Sequence, residues 1–454
     1  GDSVIPILSE ADMRQRRRQQ VKGRVVHPQA LQEVQALLED SPRRPDLLIE
    51  YLHRIQDRYQ QLSTAHLAAL ARELNLSQSE VFEVASFYHH FDVVHEDSPI
   101  NTQAKRVTIR VCEGLSCELA GSGALLHAIA QQHTGRSAAN GTHVRVIPTP
   151  CVGRCEQAPV AVVGQTAVFA PNANSAAIPS AIPSAIPSAA PQQTRIAAVC
   201  DAVQSILHQD QVAPHLEPEM DYAAYLSKGG YSLLKACVGG QKQVDDLIQI
   251  LLDSGLRGLG GAGFPAGQKW RIVRKQPAPR LMAVNIDEGE PGTFKDRTYL
   301  EKNPHQFLEG MLIAAWAVGA ERIFIYLRDE YHAIRHMLTR EIEKLVHMPP
   351  VENLPAIEMR RGAGAYICGE ESAMLESIEG KRGMPRLRPP YVAEQGLFGR
   401  PTLVHNLETL YWIPAILGPQ QGGNTGSFLK AGRNGRKGLR SFSVSGRVNK
   451  PGVH

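Results

Sequence analysis

Four cysteines in two close pairs carry the clearest chemistry in this sequence. Four residues separate Cys112 from Cys117, and three separate Cys151 from Cys155. Four thiolates from two loops can ligate a [2Fe-2S] cluster, two to each iron. Structural zinc, which uses cysteine pairs about two to four residues apart, is the alternative. Four unrelated buried cysteines would leave the paired spacing unexplained, so the pattern favours an iron–sulfur cluster.

The elements that must position these cysteines are those of a small α/β domain. Each pair follows a segment that alternates like a β-strand, so the thiols are expected in loops. Gly114 and Gly153 in those loops let backbone N–H groups point at the sulfurs, which lowers the cost of negative charge. The periodicity predicts strands over residues 106–111, 143–147, 160–163 and 167–169, and helices over 125–131 and 194–207.

The cysteine count also indicates the class of protein. Seven cysteines, and an N-terminus without a long apolar segment, argue against a disulfide framework and for a reducing, cytoplasmic setting. Cys200, Cys237 and Cys368 have no partner in sequence and are predicted to be small core residues.

The formal net charge of +4 does not indicate nucleic-acid binding. The apolar run Met311–Ala320 is shorter than the roughly 20 residues of a membrane span and predicts a buried helix.

A glycine-rich loop, RGLGGAGFPAGQKW, runs from Arg257 to Trp270. Its glycines let the backbone approach a ligand, and their N–H groups before a helix start form a phosphate cradle, to which Lys269 could add charge. The loop is neither a Walker loop nor a Rossmann fingerprint, so a structural turn is the alternative. The glycines concerned are Gly258, Gly260, Gly261 and Gly263.

An acidic loop, NIDEGEPGTFKD, follows a predicted strand at residues 281–285. Open α/β sheets bind ligands at the carboxyl ends of their strands. Asp287, Glu288 and Glu290 could accept hydrogen bonds from ribose hydroxyls or an amide, and would repel the extra phosphate of NADP. A solvated acidic loop is the alternative.

Two further segments carry groups suited to a flat, phosphorylated ligand. GAGAYICGEE ends at Glu371 and contains Tyr366, and GLFGRPTLVHNLET contains His405 and Asn406. Phe264 and Tyr391 could stack on flat rings. The alternatives are that Tyr366 belongs to the core and that His405 is an ordinary loop histidine.

The organisation along the chain predicts several units. They are a basic flexible tail at 1–27, a helical bundle at 28–100, a small α/β domain at 101–212 with a proline-rich loop at 171–191, a larger α/β domain at 215–435, and the start of a further domain at 436–454. Within the bundle, Ser77 and Glu80 form the capping-box pattern of a helix start. The loop at 171–191 contains three Ala-Ile-Pro-Ser repeats, which disfavour helix.

Taken together, these motifs resemble a known family of redox subunits. The cysteine quartet resembles the thioredoxin-like [2Fe-2S] subunit of respiratory complex I. RGLGGAGFPAGQKW, NIDEGEPGTFKD, GAGAYICGEESAMLESIEGKRG and RPTLVHNLETL resemble its NADH- and FMN-binding subunit. The resemblance covers nearly the whole chain after residue 30. It implies a multidomain α/β fold, with an N-terminal helical bundle, a thioredoxin-like [2Fe-2S] domain and a larger FMN- and NAD-binding domain.

Fusion of both modules in one chain is similar to the hydrogenase diaphorase and, more closely, to the beta subunit of NAD-dependent formate dehydrogenase. RRPDLLIEYLHRIQD, PRLMAVNIDEGEPGTFKD and GRNGRKGLRSFSVSGRV carry that closer likeness. It implies NAD(H) as substrate and a molybdenum or tungsten formate dehydrogenase alpha subunit as partner. A complex I or hydrogenase module, or a vestigial iron–sulfur scaffold, is the alternative.

The resemblance also implies roles for single residues. Lys269 and Glu290 would contact the dinucleotide, and with Glu371 they are the residues expected nearest the reaction. Phe264 and Tyr391 would flank the adenine. The glycine loop, with Gly258, Gly260, Gly261, Ala262 and Gly263, would line both sites. The residues expected around FMN are Asn285, Asp287, Glu288, Tyr366, Gly369, Glu370, Glu371, Val404, His405, Asn406 and Thr409.

Two features depart from the family pattern. His405 stands where the family usually has asparagine. The family also continues through a ubiquitin-like domain into a helical domain whose four cysteines hold a [4Fe-4S] cluster, and those ligands are absent from this sequence. We therefore expect residues 436–454 to be the start of a truncated ubiquitin-like domain, and the chain to be a fragment.

Overall fold

The computed structural model describes residues 23–94, 105–133, 141–170, 190–209, 213–261, 263–418, 438–445, 448 and 450–454. Residue contacts divide these into one unit before Gln103 and a second from that residue onward. Most of the predicted basic tail, the proline-rich loop as far as residue 189, and Ala262 lie outside the described residues.

The first unit is helical. Val34, Leu52, Leu70 and Val81 project from its helices into the core and are fully or almost fully buried. Ser77 caps the last of them in the predicted capping box, exchanging hydrogen bonds with Glu80. The helices are α1 (Pro28–Leu38), α2 (Leu48–Tyr59), α3 (Thr64–Leu74) and α4 (Gln78–Phe87), and β1 (Leu62–Ser63) pairs in parallel with β2 (Val93–Val94).

The second unit begins with a four-stranded sheet, and the strands predicted around the cysteines are confirmed. Its elements are β3 (Arg106–Cys112), α5 (Leu115–Leu119), α6 (Ser122–His133), β4 (His143–Thr149), β5 (Val160–Val163), β6 (Thr166–Phe169) and α7 (Gln192–Leu207). The strand order is β4-β3-β5-β6, with β3 and β4 parallel and the other pairs antiparallel. Helices α6 and α7 pack on each other and on this sheet over a core that includes Ile109, Leu125 and Val203.

A second, fully parallel sheet with the order β10-β7-β8-β9 follows. Its strands are β7 (Arg280–Ile286), β8 (Ala320–Leu327), β9 (Ala356–Arg361) and β10 (Thr402–Asn406). The helices around it are α8 (Tyr222–Ser227), α9 (Ser232–Val238), α10 (Val244–Ser254), α11 (Ala266–Arg274), α12 (Lys295–Lys302), α13 (Pro304–Val318), α14 (His332–His347), α15 (Glu371–Ile378), α16 (Leu407–Tyr411) and α17 (Ile413–Leu417).

Burial explains why this sheet forms here. A parallel sheet is covered on both faces, so its strands are apolar without strict alternation. In β7, Leu281, Met282, Ala283 and Val284 are all buried. Helix α13 packs against β7 and β8 and is buried on nearly every side, as the apolar run near residue 311 predicts. Within the described residues, no helix is long and apolar enough to cross a membrane.

The parallel sheet creates one crowded edge. All four strands end on the same side, so the loops after Ile286, Leu327, Arg361 and Asn406 meet there. The chain proceeds from β7 to β8 and β9 on one side, while β10 lies on the other side of β7. The gap between β7 and β10 is therefore a topological switch point, where sheets of this kind bind ligands. A hairpin of β11 (Ser443–Val444) and β12 (Gly452–Val453) completes the second unit.

Candidate cofactor pocket and cysteine centre

A cavity of about 720 Å³ lies at the switch point, a volume typical of a cofactor site. Ten of the predicted residues line it: Gly260, Gly261, Asn285, Asp287, Glu288, Glu290, Tyr366, Gly369, Glu370 and Asn406. They come from the glycine loop, the acidic loop, the short helical turn Tyr366–Gly369 and the end of β10. The structure thus brings together segments that are more than 100 residues apart in sequence.

Other predicted residues lie outside the lining of this cavity. They are Gly258, Gly263, Phe264, Lys269, Glu371, Tyr391, Val404, His405 and Thr409. Two of them hold neighbouring segments: the Thr409 hydroxyl accepts a hydrogen bond from Leu259 N at 3.0 Å, and the Val404 carbonyl accepts one from Lys269 Nζ at 3.0 Å. Phe264 and Tyr391 are 42% and 57% exposed, so both rings are available to a ligand. Their roles stay predictions.

Asn285 and Asp287 shape the floor of the cavity. Asn285 Nδ2 donates to the Gly369 carbonyl at 3.0 Å, which ties the acidic loop to the turn that carries Tyr366. Asn285 Oδ1 accepts from Asp287 N at 3.0 Å. Asp287 Oδ2 is buried and, among the described residues, has no hydrogen-bond partner. An unpaired carboxylate oxygen in a cavity fits a ligand that donates hydrogen bonds to it.

Burial raises the pKa of Asp287 to about 7, and the nearby Arg328 only partly opposes this. The folded protein therefore binds a proton at Asp287 more readily than the unfolded chain does. As the pH rises from about 4 to about 7, ionisation of Asp287 lowers the free energy of unfolding of the ligand-free protein. Above pH 7 this destabilisation is complete.

We expect Asp287→Asn to stabilise the ligand-free protein by about 2 kcal/mol at pH 8 and by almost nothing at pH 4. One pKa unit corresponds to about 1.4 kcal/mol, and partial exposure of Asp287 reduces the effect below the full shift. Urea unfolding at both pH values measures the difference. Asp201→Asn, on the exposed face of α7, is the control. Equal stabilisation at pH 4 and pH 8 would contradict this account.

Glu288 and Lys295 hold the acidic loop in place. Glu288 accepts hydrogen bonds from Asp296 N at 2.8 Å and from Tyr331 Oη at 2.6 Å, so its carboxyl is already used by the protein. Burial, reinforced by Asp296, raises the pKa of Glu288 to about 8. Lys295 Nζ lies 3.0 Å from carboxylate oxygens of both Asp296 and Glu408. Burial alone would lower the pKa of Lys295, but these carboxylates outweigh it and raise it.

Charged groups of both signs lie around Glu370, which lines the cavity. Lys269 Nζ lies 3.8 Å from Glu371 Oε1, and burial lowers the pKa of Lys269, with Glu371 opposing. Arg388 Nη2 lies 2.5 Å from Glu370 Oε1 and 3.8 Å from Glu371 Oε2. These pairs are close enough to exchange partners with a charged ligand, which fits the predicted dinucleotide contacts.

His405, the departure from the family pattern, does not face the cavity. It is almost fully buried, and its Nε2 accepts a hydrogen bond from Trp270 Nε1 at 2.9 Å. Burial lowers the pKa of His405 well below its usual range, so the ring is neutral. The His405 side chain contacts Trp270 of the core helix α11, whereas the next residue, Asn406, lines the cavity.

Several lining residues were not among the sequence-based predictions. Thr293, Lys295 and Asp296 belong to the acidic motif NIDEGEPGTFKD, so the sequence could have indicated them if the whole motif had been taken as the ligand site. Arg440, Ser441, Phe442 and Ser443 come from the hairpin segment. They belong to the stretch GRNGRKGLRSFSVSGRV, which carries part of the family resemblance, but nothing in its sequence places it beside the parallel sheet. The full set is Leu259, Gly289, Gly292, Thr293, Lys295, Asp296, Ile367, Arg440, Ser441, Phe442 and Ser443.

The four predicted cysteines lie together in the same unit. β3 and β4 pair in parallel with Cys112 opposite Thr149, so the loops that follow them emerge side by side. All four side chains are buried, and none forms a disulfide. The sulfurs of Cys151 and Cys155 are 3.4 Å apart, and Cys112 lies within hydrogen-bonding reach of Cys117 and Cys151.

The surroundings of these thiols fit a cationic metal centre. The N–H groups of Gly114 and Gly153 point at Cys112 Sγ and Cys151 Sγ, each at 3.4 Å, as predicted. Hydrogen bonds between thiols lower the pKa of Cys151 and raise the pKa of Cys112. Two or more thiolates this close repel each other in a buried site unless a metal compensates their charge. Cys200, Cys237 and Cys368 are buried elsewhere, as predicted.

Comparison with known families identifies both halves. The model of the Nuo51 FMN-binding domain matches residues 251–415. That of the thioredoxin-like [2Fe-2S] ferredoxin matches residues 34–182 and so includes most of the helical first unit. These matches confirm the predicted fold class and the predicted cofactors FMN and [2Fe-2S]. The residues that would hold each cofactor, including the four cysteines, stay predictions.

Individual relatives fall into two groups. The F subunit of the NADH-quinone oxidoreductase of Aquifex aeolicus is 43% identical over 51% of this chain and 54% of its own length. The alpha subunit of the NAD-reducing hydrogenase HoxS of Cupriavidus necator is 32% identical over 90% of this chain and 67% of its own length. A crystal structure of an NAD⁺-reducing [NiFe]-hydrogenase in the H2-reduced state matches with a TM-score of 0.69 at 31% identity, covering 91% of this chain and 67% of that chain. The chain spans about half the length of the NADH-quinone oxidoreductase relatives.

Proposed function

Because the chain belongs to the family of flavin and iron–sulfur subunits that includes the HoxS alpha subunit, we propose that it exchanges electrons between NAD(H), FMN and a [2Fe-2S] cluster. The observation that carries this proposal is the cavity at the switch point, formed in the same unit as a complete cysteine quartet. When bound, FMN supplies the chemistry, taking a hydride from NADH or returning it, and exchanging single electrons with iron–sulfur centres.

The residues of the chain would bind and orient these groups. Backbone N–H groups at Gly260 and Gly261 would face the FMN phosphate, and the free Asp287 oxygen would accept from the ligand. Tyr366, which is 68% exposed at the cavity, would contact FMN. The acids around Glu290 would favour NAD(H) over NADP(H) because a second negative phosphate would be repelled. No side chain is required to transfer a proton.

We further propose that the physiological complex is an NAD-dependent formate dehydrogenase in the cytoplasm. In it a molybdenum or tungsten alpha subunit would oxidise formate and pass electrons to this chain, which would reduce NAD⁺. The support is the likeness of three sequence stretches to fused beta subunits, together with the retention of all four cluster cysteines, which hydrogenase diaphorases often lack.

A second candidate is the diaphorase of an NAD-reducing hydrogenase. The observation that favours it is the extent of the HoxS match, which covers 90% of this chain at 32% identity. The NADH-quinone oxidoreductase relative from Aquifex aeolicus matches with a higher identity of 43%, but over only 51% of the chain.

Purification of the tagged protein from its own host separates these proposals. We expect a formate-oxidising subunit to copurify, and the complex to reduce NAD⁺ with formate. Reduction of NAD⁺ with hydrogen instead would establish the hydrogenase role. Flavin fluorescence after heating and NADH–ferricyanide turnover test the shared function, and the absence of both would mean a vestigial scaffold.

A further inference from the structure

Arg328, the residue after β8, connects the cysteine centre to the cofactor pocket. It is 4% exposed. One end of its guanidinium, Nη2, donates to the carbonyl of the cluster cysteine Cys151 at 2.6 Å. The other end, Nη1, donates to the carbonyl of Glu288 in the acidic loop, also at 2.6 Å. A single planar group therefore holds one backbone atom from each site.

Neighbouring contacts reinforce this connection. Arg297 Nε donates to the Gly153 carbonyl at 3.2 Å, and its guanidinium also pairs with Glu156. Gly153 has a φ of +71°, and a Cβ there would lie 2.5 Å from Tyr331 Oη. The loop between the second pair of cysteines thus lies directly against Arg328 and Tyr331, which precede α14, and it leaves no room for a side chain at Gly153.

The charge of Arg328 is fixed at this place. Burial alone would lower the pKa of Arg328, but Glu330, Tyr331 and Asp287 outweigh it and raise the pKa. Glu330 Oε2 accepts from Nε at 3.2 Å and completes the set of partners. The guanidinium is therefore cationic and desolvated. It contacts the backbone carbonyl of Cys151, the same residue whose sulfur is a predicted cluster ligand. Charges and hydrogen bonds around the sulfurs set the reduction potential of iron–sulfur clusters.

We propose that Arg328 is a positioning residue that raises the reduction potential of the [2Fe-2S] cluster while it holds the cluster loop against the flavin pocket. Reduction adds one electron and converts one ferric ion to ferrous, and no bond forms or breaks. A nearby fixed cation stabilises the more negative reduced state. This inference rests on the proposed function for the identity of the pocket ligand, but the cluster potential can be measured without NADH or flavin.

The test compares cluster potentials by dithionite titration, followed by electron paramagnetic resonance, in the intact protein with its cofactors. In Arg328→Gln we expect the equilibrium constant for one-electron reduction to fall about tenfold, a shift of roughly 59 mV to lower potential. Arg328→Lys, which keeps the charge but reaches only one carbonyl, should show a smaller fall. The control is Arg322→Gln, at the opposite end of β8, where the guanidinium pairs with Glu358 at 2.7 Å; it should keep the wild-type potential.

Each outcome decides the proposal. A wild-type potential in Arg328→Gln, with the cluster intact, would overturn it. If that variant does not assemble the cluster, the lysine variant supplies the measurement. Loss of the cluster from both variants, with flavin retained, supports the positioning role, whereas joint loss of flavin and cluster would make Arg328 purely structural and overturn the proposal. A wild-type protein without flavin would contradict the proposed function but leave the cluster measurement valid.

Discussion

Replacing Gly260 by valine should remove the flavin and abolish the reaction with NADH. Gly260 lines the cavity, and a Cβ there would lie only 3.0 Å from the Cβ of Asn406, at the end of the neighbouring strand β10. A branched side chain must displace Asn406 or fill the space of the ligand. Overpacking of this kind costs about 3 kcal/mol, or roughly a hundredfold in affinity.

Flavin content after heat release and NADH–ferricyanide turnover measure this effect. The matched control is Gly123→Val, because Gly123 lies in helix α6 and a Cβ there meets nothing within 4 Å. The control should keep both signals. If Gly260→Val retained a full complement of flavin, the glycine loop would not form the cradle.

Cys151→Ser should eliminate the [2Fe-2S] cluster while the protein keeps its flavin. Cys151 is buried beside Cys155, and the N–H of Gly153 points at its sulfur. A serine hydroxyl is a poorer ligand for iron than a thiolate, and one missing ligand leaves the remaining thiolates uncompensated. Iron content and the electron paramagnetic resonance signal of the reduced protein report the loss.

Cys200→Ser serves as the control for this substitution. Cys200 is a buried cysteine of similar exposure, but it lies in α7, in the core beneath the first sheet of the second unit. It should keep its iron and its signal. A cluster retained at wild-type level in Cys151→Ser, or lost equally from both variants, would contradict the assignment of the quartet.

The strands and loops that carry the site residues could be predicted because each is encoded by residues adjacent in sequence. The alternation in residues 106–111 and 143–147 predicts the strands that deliver the cysteines, and the structure confirms them as β3 and β4. The acidic loop was predicted at the carboxyl end of a strand, and the cavity is at that position. Such predictions succeed when the residues that act together are also close in sequence.

The contacts that join the two sites were not predictable in this way. Arg328 carries no motif, and its partners Cys151 and Glu288 are 177 and 40 residues away along the chain. Only the packing of the two sheets in one unit brings them together. The same is true of His405, whose side chain is directed to Trp270 in the core by the alternation of β10, while Asn406 faces the cavity.

Anaerobic addition of NADH to the purified, flavin-containing protein tests the central claim most directly. We expect an equimolar amount of NADH to bleach the flavin absorbance of the wild-type protein. The Gly260→Val variant, which we expect to lack flavin, should show no such absorbance before or after NADH is added. Flavin that stays oxidised in the presence of excess NADH would show that the pocket at the switch point does not bring the two molecules together, and would contradict the account.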